Sequence, residues 1–518
     1  MAHLIAAVLR SRPSSDVALA DERGEISWGD FDRRVNRLIH ALRSAGLEAG
    51  DAVAVLSGNR SEYFEVFAAC AHASLLAAPI NWHSVEDEVR YVLADSRARA
   101  FVVDDRFAEL GAAAAREAAG LDLRAMLGTA PAPPGFVHYE DLLASAASSE
   151  PERQVQGGVM FYTSGTTGRP KGVRRLAGVG APIEQGEMMS RGFAMLVGAP
   201  IPGVTLLCGP VYHSAQWAFS YLLSMAGSSV VMRHKFDPAE TLRLIDQHRV
   251  TNVHLVPTQL TRLLRLDEAT RRGFDGSSLR AVWHGAAPCP PEVKRRMIEW
   301  WGPIVTEYYG GTEGAIVTII RAPEWLERPS SVGRPVPGAE LIVVGDDDRL
   351  CPTGEPGQVY VRSLMAADFE YHGDRDKTAA AHREPGVFSM GDVGYLDAEG
   401  YLHLVDRRID LIISGGVNIY PAEIERVLGD DPRVADAAVF GIPDEEFGEQ
   451  VMAVIEPAPG IAAGDALRAE LLALCRSRLA GFKVPRRLEF AALPRTETGK
   501  LAKRALRDPY WTASGRRI

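Results

Sequence analysis

The segment FYTSGTTGRPKGV, Phe161 to Val173, places three glycines, four Ser/Thr hydroxyls and one lysine directly behind a short apolar run. Gly165 and Gly168 free backbone N–H groups to converge on one point, and Thr163, Ser164, Thr166 and Thr167 add hydroxyl donors. Lys171 supplies a compact cation. Together these are the parts of an anion cradle, and phosphate is the anion they suit. A G-x-x-x-x-G-K-[ST] loop is excluded, because Arg169 and Pro170 separate Gly168 from Lys171 and the following VRRLAGVGAP carries no helix pattern.

The string resembles the phosphate loop of the adenylate-forming superfamily, which holds acyl-CoA synthetases, firefly luciferase and the adenylation domains of nonribosomal peptide synthetases. Further segments resemble the other motifs of that family, in its order and over nearly the whole chain. GPVYHSAQW (Gly209 to Trp217) looks like the acyl-pocket segment, HGAAPCP (His284 to Pro290) the adenine-side loop and EYYGGTEG (Glu307 to Gly314) the Mg-ATP segment. The run from Phe388 to Glu425 resembles the ribose-binding, hinge and CoA-tunnel segments, and PRTETGKLAKRAL (Pro494 to Leu506) the segment with the catalytic lysine.

The resemblance implies a two-step reaction using ATP, Mg²⁺ and CoA. A carboxylate first attacks the α-phosphate of ATP, and the thiol of CoA then displaces AMP. Anions must be gathered and developing charge neutralised, so positioning and electrostatics carry the catalysis. By resemblance the Thr163 to Gly168 loop and Lys171 hold the β- and γ-phosphates, Glu313 ligates Mg²⁺, Thr312 bonds the α-phosphate and Tyr309 stacks on adenine beside Gly285, Ala286 and Ala287. Asp392, assisted by Arg407, is expected on the ribose hydroxyls, and Lys500 between the α-phosphate and the attacking carboxylate. Ser414, Gly415 and Gly416 are expected to line the pantetheine tunnel, with His213 orienting the acyl carboxyl. Gln216, Trp217, Phe219, His284, Gly310 and Gly311 are expected around an apolar acyl pocket, which points to a hydrophobic acid.

Composition agrees with small-molecule chemistry. Hydrophobic residues make up 46% and charged residues 24%, the balance of a globular chain rather than a disordered one. A net charge of −10 gives no diffuse basic surface for nucleic acid. Only seven lysines stand among 57 basic residues, yet Lys171 and Lys500 fall on motif positions, with Lys483 and Lys503 near the second. The five cysteines are scattered without metal-ligand spacing, and no leader or membrane-spanning run is read, so a cytoplasmic chain with reduced thiols is expected.

The elements that must position these residues alternate. Helix-period spacing in WGDFDRRVNRLIHALRSAGL gives way to the strand AVAVL, and two more such units follow, the last ending in FVVDD. A second alternating block runs from VTLLCGPVYH through PPEVKRRMIEWWG, and from Ser331 to about Val361 short strands are punctuated by glycine and proline. The expected fold is α/β: a large N-terminal domain of αβ sheet lobes with a β-rich subdomain (1–405), a hinge (406–410) and a small mobile α+β domain (411–518).

One departure stands in the hinge. The family pattern D-R-x-[K/D]-D reads here Asp406, Arg407, Arg408, Ile409, Asp410, with a β-branched residue at the polar position. Two functions therefore stay open at the level of sequence. One is a stand-alone acid–CoA ligase, with a homodimer as the family's arrangement. The other is a half-reaction enzyme that passes the acyl group to a carrier protein or depends on a partner enzyme. A non-catalytic adenylate binder is disfavoured because Lys500, Glu313 and Asp392 are all present.

Overall fold

The computed structural model describes residues 4–163, 170–175, 178–364, 368–407, 410–414, 417–444, 447–495 and 501–513. Among these, the strands form four sheets.

The first lobe is built on parallel strands. Leu76–Ile80, Ala52–Leu56, Ala98–Asp104 and Leu123–Leu127 lie side by side, with Val53 opposite Ala77 on one side and Ala100 on the other. Every residue of Ala52–Leu56 and of Leu76–Ile80 is buried, as a parallel strand covered on both faces requires. Helix Trp28–Ser44 covers part of this lobe. Ser27 starts it by accepting the Asp30 N–H, and Phe31, Val35, Leu38, Ile39 and Leu42 recur at helical spacing on its buried face.

The second lobe is a parallel sheet of Ser229–Met232, Val204–Leu207, Asn252–Leu255, Ala281–His284 and Val305–Gly311, closed at one side by antiparallel Ala315–Arg321. At its other side stands the N-terminal strand Val17–Asp21, parallel to Ser229–Met232. The expectation from sequence began its first unit with the helix pattern WGDFDRRVNRLIHALRSAGL and gave this strand no place. Its pairing partner lies too far along the chain for local pattern to reveal it.

A third, antiparallel sheet holds Ala339–Val344, Gly357–Ser363, Asp392–Leu396 and Leu402–Arg407, the β-rich region expected after Ser331. The C-terminal domain has its own sheet and its own core. Strands Val434–Asp444 and Gly448–Pro457 pair antiparallel, and Ile412, Ile424, Val439, Ile455 and Leu471 fill the space beneath helices Pro421–Gly429 and Asp465–Arg478. All five cysteines are free. No helix among the described residues is long and apolar enough to cross a membrane.

Candidate active site

Strand Gly158–Thr163 turns back into strand Lys171–Arg175, and the antiparallel register puts Thr163 opposite Lys171. The two ends of the glycine-rich segment are thereby held together. Ser164, Gly165, Thr166, Thr167 and Gly168 lie outside the described residues.

Lys171 meets a partner that no motif announced. Strand Phe369–Tyr371 adds to the outer edge of Lys171–Arg175, with Tyr371 opposite Val173, and the Lys171 ammonium lies 4.8 Å from the Tyr371 ring centre. The Tyr371 hydroxyl donates to Glu313 Oε1 at 3.0 Å. Burial lowers the Lys171 pKa and the Lys377 ammonium adds to the shift, while Asp374 and Glu313 oppose it. Lys377 is itself tied to Asp374 at 2.5 Å. Cation, aromatic ring and carboxylate thus form one contact series at the base of the hairpin.

Glu313 and Thr312 occupy the turn between Val305–Gly311 and Ala315–Arg321. The turn is tight. A Cβ on Gly310 would stand 1.8 Å from the Ala315 carbonyl oxygen, so only glycine fits, and Ala315 itself takes a left-handed backbone at φ 55°. Thr312 Oγ1 is 2.8 Å from Ser214 Oγ, on the short helix Ser214–Trp217 that follows His213. The His213 ring lies 4.4 Å from that of Tyr212.

Asp392 opens its strand directly opposite Arg407 and accepts a 2.6 Å hydrogen bond from the Tyr309 hydroxyl. The two groups expected on ribose and adenine are therefore coupled to each other. On the adenine-side loop, Ala286 has a positive φ of 65°, and a Cβ on Gly285 would approach the Tyr308 carbonyl to 2.6 Å.

The acyl-side expectations divide. Gln216 is buried and its amide nitrogen lies 2.9 Å from His254 Nδ1, within the second lobe. Trp217, one residue on, points to the first lobe, stacking on Tyr221 at 5.5 Å and meeting Phe161 at 5.5 Å. His284 also departs from its expected place. In the parallel register Trp283 aligns with His254 and His284 with Leu255 and Glu307. Side chains alternate, so His254, Trp283 and Tyr308 share the face that Phe219 covers, while His284 turns to the opposite face. There Lys294, fully buried on helix Pro291–Trp301, bonds Glu307 at 2.6 Å, and His284 Nε2 stands 4.0 Å from the same carboxylate. Burial pushes Glu307 up and Lys294 down, each countered by the other's charge.

In the C-terminal domain Ser414 pairs with Val417 and with Gly448, while Gly415 and Gly416 lie outside the described residues. Lys500 does too, between Arg495 and Leu501, which form a β-bridge. The neighbouring lysines have structural partners: Lys503 reaches Glu425 at 2.7 Å and Lys483 reaches Glu423 at 2.6 Å.

Residues 6–367 match the family described as AMP-binding enzyme, and residues 423–500 match its C-terminal domain. The chain belongs to the AMP-binding enzyme family. This family is part of the adenylate-forming superfamily, and the chain is an ATP-dependent, AMP-forming ligase, as its curated relatives are. It is similar to a feruloyl-CoA synthase from Amycolatopsis sp, 35% identical over 516 residues that span 97% of this chain and 98% of the relative. An indoleacetate–CoA ligase from Aromatoleum aromaticum is 35% identical over 501 residues, 93% of each chain. Among solved structures, ATP-bound MatB from Rhodopseudomonas palustris superposes with a TM-score of 0.84 at 29% identity, covering 98% of both chains. The amide bond synthetase McbA from Marinactinospora thermotolerans gives 0.85 at 28%, covering 98% and 99%.

Proposed function

We propose that this AMP-binding enzyme converts a hydrophobic carboxylic acid, ATP and CoA into an acyl-CoA thioester, AMP and pyrophosphate. The observation that carries the reading is the convergence of Lys171, Tyr371 and Glu313 at the base of the Thr163/Lys171 hairpin, with Thr312 in the same turn as Glu313. Relatives that act on feruloyl and indoleacetate groups support an acid with an apolar, ring-bearing body.

In the first step a carboxylate oxygen attacks the α-phosphorus, the bond to the β-phosphate breaks and pyrophosphate leaves. The backbone of the hairpin loop and Lys171 receive the β- and γ-phosphates, and Thr312, held by Ser214, bonds the α-phosphate. Glu313 suits Mg²⁺ because that ion takes one or two carboxylates together with substrate phosphates, and when bound it neutralises phosphate charge. Tyr371 holds the Glu313 carboxylate by a hydrogen bond, with Lys171 on the same ring. Asp392 and Arg407, paired across two strands, bind the ribose, and Tyr309 both stacks on adenine and steadies Asp392. Lys500 bridges the α-phosphate and the incoming carboxylate, where a point charge fits better than a planar fork.

In the second step the CoA sulfur attacks the acyl carbon, the carbon–oxygen bond to AMP breaks and the thiol proton is released. A hinge at 406–410 lets the C-terminal domain, 411–518, present Ser414 to Gly416 to the pantetheine arm. Ile409 lies outside the described residues.

The test is to incubate pure protein with Mg-ATP and a panel of aliphatic, aromatic and polycyclic acids, with CoA, without it, and with simple amines in its place. Acyl-AMP, acyl-CoA and amides are then separated by mass. Acyl-CoA from one acid class supports the full ligase. Acyl-AMP that CoA does not consume assigns a half-reaction and implicates Ile409 or a carrier protein. Amide alone would match the chemistry named for McbA. No adenylate from any acid overturns the reading.

A further inference from the structure

A second lysine stands beside the phosphate-binding hairpin, on a different element. Strand Phe369–Tyr371 runs antiparallel to Lys171–Arg175 with Tyr371 opposite Val173, and the His372 N–H goes on to donate to the Gly172 carbonyl at 2.8 Å. The chain after Tyr371 therefore continues alongside Gly172 toward Lys171. Gly373 turns it there at φ 68°, and Asp374 starts helix Arg375–Ala381 by accepting the Lys377 N–H at 3.1 Å. Lys377 lies in the first turn, its ammonium 2.5 Å from Asp374 Oδ2.

Short bonds fix this turn to the strand. Thr378 Oγ1 accepts the Tyr371 N–H at 3.0 Å and donates to the Asp374 carbonyl at 2.8 Å, and the Asp374 N–H returns to the Tyr371 carbonyl at 3.1 Å. Tyr371 is also the residue whose ring lies against Lys171 and whose hydroxyl holds Glu313. One aromatic residue thus anchors both lysines. Their nearness shows in the charge balance, for beside the larger effect of burial the Lys377 ammonium lowers the Lys171 pKa, while Asp374 and Glu313 raise it.

Two ammonium groups held near each other repel, and an anion between them relieves the repulsion. Of the two carboxylates at hand, Glu313 is assigned to Mg²⁺, which leaves Asp374 alone against both lysines. The Lys377–Asp374 pair is open to water, with side chains 40% and 31% exposed, so the space an anion needs is there. An exposed pair of this kind is weak and screened by salt, and a phosphate carrying more than one negative charge displaces the carboxylate. Lysine suits such an exchange because its compact ammonium, on a flexible four-carbon stem, can pass from one anion to the next.

Resting on the acid-ligase reading above, which puts the β- and γ-phosphates at Lys171, we propose that Lys377 is a second phosphate-binding cation that exchanges Asp374 for the terminal phosphate of ATP and stays with the leaving pyrophosphate. Lys171 holds the phosphates from the strand and Lys377 from the helix. Asp374 keeps its bond to the Lys377 backbone and so continues to cap the helix.

Calorimetry on the full chain, with no acid present, separates this role from packing. Mg-ATP, Mg-pyrophosphate and AMP are each titrated into wild type, Lys377→Met and Asp374→Asn. AMP makes the adenine, ribose and α-phosphate contacts but offers Lys377 nothing to hold. In Lys377→Met the affinity for Mg-ATP and pyrophosphate is expected to fall about five- to tenfold, a charge-assisted contact less the ion pair given up for it, with AMP within about twofold. Asp374→Asn keeps a capping side chain and releases the ammonium, so it should bind Mg-ATP about two- to threefold more tightly. Equal losses for Mg-ATP and AMP in Lys377→Met would make Lys377 a residue that only shapes the hairpin, and would overturn the proposal. Unchanged affinities for Mg-ATP and pyrophosphate would overturn it too. Acyl-CoA formation is assayed in parallel on the same proteins. A loss confined to the polyphosphates, in a protein that makes no acyl product from any acid, leaves Lys377 in its role and removes the ligase reading. Acyl product from a protein whose phosphate affinities ignore Lys377 does the reverse.

Discussion

Tyr309 and Asp392 lie 83 residues apart in sequence and share a hydrogen bond of 2.6 Å. One belongs to the central parallel sheet and the other to the antiparallel sheet, so the bond fastens the adenine side of the site to the ribose side. Tyr309→Phe keeps a ring to stack on adenine and removes this fastening. We expect KM for ATP to rise about three- to tenfold with kcat within about twofold, while Asp392→Ala loses far more, since a charged acceptor is removed. Steady-state pyrophosphate release measures both. A phenylalanine variant indistinguishable from wild type would show the bond to be idle.

Tyr371 is the second residue that links two sheets at the site. Tyr371→Phe leaves the ring beneath Lys171 but withdraws the donor from Glu313. The expected outcome is a rise of about three- to tenfold in the Mg²⁺ concentration needed for half-maximal adenylation, with little change in the KM for the acid. If instead the acid KM shifts and the Mg²⁺ requirement does not, Tyr371 acts on the acyl side.

Lys294 and Glu307 form an ion pair below the sheet. Removing one member leaves a buried charge without its counter-ion, so Lys294→Met is expected to cost about 3–5 kcal/mol. The double variant Lys294→Met, Glu307→Leu should recover most of that loss, because two apolar groups of similar volume replace two desolvated charges. Urea unfolding of the three proteins reads the difference. Equal losses in the single and double variants would show that shape rather than charge matters there.

Acid sensitivity follows from buried neutral histidines. Burial lowers the His254 pKa from the usual 6.5 to about 3, and burial together with Lys294 holds His284 well below 6.5. Below pH 6.5 the unfolded chain takes up protons that the folded chain refuses, so stability rises with pH in this window and falls as pH drops through it. Each such histidine contributes a slope of up to about 1.4 kcal/mol per pH unit. His254→Asn should flatten the slope between about pH 4 and 6 by close to one proton, measured from unfolding midpoints across pH. An unchanged slope would mean that His254 protonates in the folded state.

The motifs and their order were legible because they are local: a hairpin, a tight turn, an edge strand opposite its neighbour. Tyr371 was not, since its place depends on strand Phe369–Tyr371 finding Lys171–Arg175 across some two hundred residues of intervening chain. His284 was placed at the acyl pocket with the rest of HGAA, by resemblance. In a strand one position is the difference between two faces, and only the register with Leu255 and Glu307 decides which. Lys483 and Lys503 looked like companions of Lys500, but each is tied to a glutamate of helix Pro421–Gly429.

The strand Val17–Asp21 is made well before its neighbour in the sheet, Ser229–Met232, to which it is joined also by the Ser229 hydroxyl donating to the Val17 carbonyl across 212 positions. Contacts of such span slow folding, because a long loop must be closed before the pairing rewards it. During synthesis the waiting strand carries four consecutive apolar residues, Val17 to Ala20, available to another nascent chain until position 232 has emerged. The order in which this protein is made is therefore not the order in which its second sheet is assembled.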